Sequence, residues 1–101
     1  MSTEKEKNQL NGRLVEAARV LLRLTQQELA DACGLARRTV AVLEKARKPM
    51  HPGTESRIRE ALEARGIEFL NGTGIGLRLV FSKAKQFRLS QPTATDDPTE
   101  E

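Results

Sequence analysis

Tryptophan and tyrosine are absent from this 101-residue chain, which has three phenylalanines, one cysteine and one histidine. With so few rings, the core has to be built from Leu, Val, Ile and Ala. A chain of this length makes one small domain that buries a modest share of its surface and is marginally stable alone. A second copy would help so thin a core. The single cysteine, Cys33, excludes a disulfide within the chain, and with His51 alone beside it no zinc site can be assembled. Cys33 is expected as a small core residue; His51, between Met50 and Pro52, is expected in a surface loop, near a phosphate if near anything. No nucleophile–base set stands out, so an enzyme is not expected and no cofactor is called for. No apolar run approaches the ~20 residues of a membrane span. No charged-then-apolar leader pattern is present either, and a cytoplasmic protein is expected.

Acidic groups are scarce where the chain is expected to fold. The formal net charge is +3, but the ends hold two of the 17 basic and six of the 14 acidic residues. Residues 11–88 therefore carry 15 basic against 8 acidic groups. Such a surplus suits a polyanionic partner.

The densest signal is Leu24–Lys45, LTQQELADACGLARRTVAVLEK, which reads as two short helices joined at a glycine. The Thr25 hydroxyl can cap the first, and Glu28, three residues on, can reach back to the Thr25 N–H; that pairing is a capping box. Leu29, Ala30 and Cys33 fall on one apolar face at helical spacing. Gly34 permits the sharp turn. In the second helix Leu35, Val40 and Leu43 recur inward, leaving Arg37, Arg38, Ala41 and Val42 on other faces. A helix with cationic donors at its N-terminal end, braced by another at a steep angle, is built to enter a DNA major groove.

The order L-T-Q-x-E-L-A-x-x-x-G-L-x-x-x-T-V-x-x-L-E resembles the helix-turn-helix of Xre/Cro-type transcriptional regulators, relatives of the phage repressors, and the resemblance spans Leu14–Leu62. It implies a mainly α fold: a four-helix, phage-repressor-like DNA-binding domain. By the same resemblance Arg37, Arg38 and Thr39 open the recognition helix and read bases, with Val42 one turn further on. Arginine suits this role because its fork can donate to the O6 and N7 of one guanine, which is worth about 1–3 kcal/mol of discrimination. Which of Arg37 and Arg38 reads a base and which holds a phosphate is left open, and Val42 is equally an ordinary exposed valine. Gln26 is expected to grip a phosphate at the start of the supporting helix, joined by Lys45, Arg47 and Lys48, with Arg13 and Arg23 as weaker candidates. Arg19 and Glu44 match a partly buried salt bridge between the first and third helices, a structural pair. Where the family has serine or threonine to cap the recognition helix, this chain has Ala36, a loss that typically costs about 1 kcal/mol.

Around the motif, residues 1–8 are polar without period and expected to be disordered. Asn8 or Asn11 can cap a helix to about Arg23, with Leu14, Val15, Ala18, Leu21 and Leu22 at amphipathic spacing. The Pro- and Gly-bearing stretch 46–53 is a loop, and Thr54 can cap a fourth helix that Gly66 stops. The period then changes to two. Residues 67–70 and 77–81 alternate as strands around NGTGIG, which predicts a C-terminal β-hairpin over 67–81, where related regulators often carry a fifth helix. Those glycines join strand to strand and do not make a dinucleotide fingerprint, which needs a helix after them. The folded domain is thus expected over 9–81, with 82–101 a disordered tail whose first part is basic.

One reading helix covers few base pairs. A homodimer on an inverted-repeat operator of double-stranded DNA is therefore expected, most simply an autorepressor, with Leu77, Leu79 and Phe81 on the hairpin as its contact. A regulatory protein partner is a further expectation. The competing reading keeps the fold and changes the use, to a protein-interaction module such as an antitoxin or anti-activator.

Overall fold

A computed structural model describes residues 10–46 and 49–91. Five helices and a two-stranded hairpin follow one another: α1 (Gly12–Leu21), α2 (Gln26–Cys33), α3 (Arg37–Lys45), α4 (Pro52–Ala64), β1 (Ile67–Leu70), β2 (Gly76–Leu79) and α5 (Phe81–Ser90). The fold is mainly α with a small C-terminal hairpin. Among the described residues no helix is long and apolar enough to cross a membrane.

Three of the five helices start at a side-chain cap. The Asn11 side chain accepts from the Leu14 N–H at 3.0 Å and starts α1. At α2 both halves of the capping box form: Thr25 Oγ1 accepts from Glu28 N–H at 3.0 Å, and Glu28 Oε1 accepts from Thr25 N–H at 2.8 Å. α4 departs from expectation. His51, not Thr54, caps it: its Nδ1 accepts from the Gly53 N–H at 3.1 Å, and Pro52 takes the first helical position, where its missing N–H costs nothing. Thr54 lies inside the helix.

The core is aliphatic. Val15 and Ala18 of α1, Leu29 and Ala30 of α2, Val40 of α3, Ile58 and Leu62 of α4 and Ile67 of β1 are sealed from solvent, with Cys33 among them. Burial pushes the Cys33 thiol up, against weaker pulls from Arg65 and Arg57, which makes it a poor nucleophile. α1 crosses α3 so closely at Gly12 that a Cβ there would strike the Leu43 and Glu44 carbonyls.

The hairpin lies over this core, β1 toward α4 and β2 toward α1. Its antiparallel register pairs Ile67 with Leu79, Glu68 with Arg78 and Phe69 with Leu77. Ile67, Phe69, Leu77 and Leu79 pack on the core, while Glu68 faces out and meets Arg78 at 2.7 Å and Lys83 at 3.2 Å. The second strand is shorter than expected and ends at Leu79.

The segment from Ser82, expected to be disordered, is helical as far as Ser90. Its anchors are local. The Val80 N–H donates to the Gly66 carbonyl at 2.8 Å, and Gly66 (φ +107°) takes a backbone shape that side chains resist, in a space Ala84 would close to a Cβ. The Arg65 guanidinium lies over the Phe87 ring, 4.4 Å from its centroid. Basic composition suggested a solvated tail; two residues, Ala84 and Phe87, dock it. The expectations for 1–8, for Arg47 and Lys48, and for the acidic end fall outside the described residues.

Candidate nucleic-acid interface

α2 and α3 are held at the turn by Gly34, which ends α2 in the left-handed region (φ +73°) and donates to the Ala30 carbonyl. The Leu35 N–H closes the same carbonyl at 2.9 Å. The chain then enters α3 at Ala36, in extended conformation and with no side-chain cap. α3 divides sharply. Val40 and Glu44 are buried and Leu43 is half-buried, whereas Arg37, Arg38, Thr39 and Lys45 are exposed and Val42 is 60% exposed.

Glu44 secures the back of this helix. Its side chain is only 3% exposed and accepts three hydrogen bonds: Arg19 Nε at 2.7 Å, Arg19 Nη2 at 3.0 Å and Gln26 Nε2 at 3.0 Å. Arg19 Nη1 also donates to the Leu24 carbonyl at 2.9 Å. One carboxylate thus ties α1, the corner between α1 and α2, the first residue of α2 and the last turn of α3. The bidentate bond to Glu44 raises the Arg19 pKa above its already high ordinary value, against the opposing cost of burial.

Part of the free charge lies on the other side. Arg59, Arg65, Arg78 and Lys83 are engaged with carboxylates, a carbonyl or rings. Arg37, Arg38 and Lys45 have no hydrogen-bond or ion-pair partner among the described residues. The helix therefore presents Arg38 and Lys45 on its outer face with Val42, and Arg37 and Thr39 exposed in its first turn. That is an arrangement of donors and one apolar contact left exposed among the described residues.

Two sequence expectations change here. The Gln26 side-chain amide, expected on a phosphate, is spent on Glu44, because a buried carboxylate with a free lone pair draws the nearest donor; the Gln26 backbone N–H stays in the first turn of α2. Leu77 and Leu79, expected at a dimer contact, turn to the core, and Phe81 opens α5 instead of closing a strand. Sequence reasoning missed the Leu24 carbonyl link and the His51 cap. The first carries no side-chain signal. The second could have been read from Pro52, which favours the first position of a helix.

Residues 22–41 match the family model described as bacterial regulatory proteins, crp family. The matched segment runs from the end of α1 through α2 and the Gly34 turn to Ala41 in α3, 20 of the 101 residues. It supports a helix-turn-helix of the kind found in bacterial DNA-binding transcription regulators. No curated protein matches the chain.

Proposed function

We propose that this protein is a sequence-specific transcription regulator of the Xre/Cro type that binds double-stranded DNA as a homodimer and represses by occupying an inverted-repeat operator. The observation that carries the reading is the contrast within α3, whose inner face is locked by Glu44 while Arg38 and Lys45 stand on the outer face and Arg37 is exposed at the N-terminal end, all three without a hydrogen-bond or ion-pair partner among the described residues. In the major groove, Arg37, Arg38, Thr39 and Val42 meet base edges. Lys45, Arg47, Lys48 and the backbone N–H of Gln26 hold phosphates and set the register. The chain works as a binder, not a catalyst.

The dimer contact belongs on the α1–β2 face, where exposed Val20 and Leu21 line a groove with half-buried Leu77. Arg13 and Glu16 border the groove there, and the mix of signs suits a two-fold contact of a patch with itself. An inverted-repeat operator requires the two reading helices about 34 Å apart, one turn of the duplex.

The test is a mobility-shift titration on the DNA upstream of the gene, with Arg37→Ala and Arg38→Ala. A base-reading arginine lost lowers affinity about 5- to 100-fold and relaxes preference at one position. A phosphate-holding one weakens all duplexes alike and reduces the salt slope by about one. If neither change alters binding, α3 is not the reading element.

A further inference from the structure

A second surface, away from the outer face of α3, is built of apolar floor and cationic rim. A groove of about 600 Å³ lies between the C-terminal end of α1 and the start and middle of α5. That volume falls in the range of small-ligand sites, ~300–1,000 Å³. Leu22, Leu24, Leu79 and Phe87 are among the residues that floor it, and Phe81, 80% exposed, stands at its edge. α5 as a whole buries none of its residues fully, so this apolar side is left open.

The rim carries the sign. Arg23, Lys85 and Arg88 border the groove, are exposed, and have no hydrogen-bond or ion-pair partner among the described residues. None of the residues lining it is acidic. Arg23 is the only described non-glycine residue with positive φ, at 61°. Its N–H donates to the Val20 carbonyl at 2.9 Å, and the Leu24 N–H donates to the Arg19 carbonyl at 3.0 Å, which closes the end of α1 in a form that glycine adopts with less strain. A bulky cation thus stands where the backbone favours glycine, at the mouth of an apolar groove.

We propose that this groove binds an amphiphilic organic anion: a carboxylate on an acyl or aryl body, with the apolar part on the leucine–phenylalanine floor and the carboxylate among Arg23, Lys85 and Arg88. An acyl chain matches the floor, and its single negative head answers a rim with no negative group of its own. No residue of α3 lines this groove, while Leu21 and Arg23 also line the groove between α1 and β2.

The probe is decanoate, titrated into the ¹⁵N-labelled full chain without DNA while amide shifts are followed. Saturable shifts are expected in residues 21–24 and 79–88, and none of that pattern with decylammonium, the same chain with the opposite charge. Arg23→Gly is the decisive variant, since it removes the cation while giving the backbone its preferred residue. It should fold at least as stably and bind decanoate about tenfold more weakly, the loss expected of one charge-assisted contact. Equal binding of decylammonium, an unchanged affinity in Arg23→Gly, or shifts confined to other surfaces would overturn the proposal. So would groove amides that already move with protein concentration or on removal of residues 92–101, since the groove would then hold a second copy or the chain's own acidic end.

Discussion

Glu44→Ala is the change to which the fold should be most sensitive for its size. It removes three hydrogen bonds at once and leaves Arg19 charged beside a gap, because the guanidinium cannot lose its proton. Removing one partner of a buried pair costs about 3–5 kcal/mol. Here the Arg19 side chain is 14% exposed and keeps its bond to the Leu24 carbonyl, so partial rehydration holds the loss near the lower end, about 3 kcal/mol. For a domain of this size each kcal/mol moves Tm by roughly 4–8 °C, which places the fall at about 12–24 °C. Urea unfolding followed by circular dichroism reads it directly. The double variant Arg19→Met, Glu44→Leu should recover most of the loss, since apolar replacement of both members leaves no stranded charge. A single variant within about 1 kcal/mol of the parent, or a double variant no better than the single, would refute the view that one buried carboxylate seats the helix-turn-helix.

Ala36→Ser should add the missing cap of α3 and raise stability by about 1 kcal/mol in the same unfolding assay. Gly12→Ala drives a methyl into the carbonyls of Leu43 and Glu44, backbone that cannot swing aside, and should cost about 3 kcal/mol while shifting the amide signals of α3. Glu68 is held below the ordinary carboxylate range by its bond to Arg78, then Lys83. A depressed pKa gives stability that is present above the unfolded value and lost as pH falls through the folded one. Thermal melts of Glu68→Gln should therefore lie below the parent at neutral pH and converge with it in acid.

The helices of the motif were legible because local signals agreed: Thr25 with Glu28, Gly34 at the turn, and apolar residues returning every three or four positions. The hairpin was legible from the change to period two at Ile67. What stayed hidden depends on contacts far apart in the chain. α5 has little apolar periodicity, and its order rests on Phe87 meeting Arg65 and on Gly66 making room, neither of which a local pattern reveals. Leu77 and Leu79 alternate as an exposed seam would, yet the register with Ile67 and Phe69 turns them inward. At the site, the exposed positions of α3 followed from the period of the helix. The bond that takes up the Gln26 amide did not, because it needs Glu44, 18 residues away, at hydrogen-bond distance.

Selection of duplexes from a random pool by the full chain tests the central claim most directly. Two-fold symmetric sites with half-sites about one helical turn apart should be enriched, and the enrichment should weaken at one base pair per half-site in Arg37→Ala or Arg38→Ala. A pool left unenriched, with every duplex held equally and binding that follows salt alone, would contradict it.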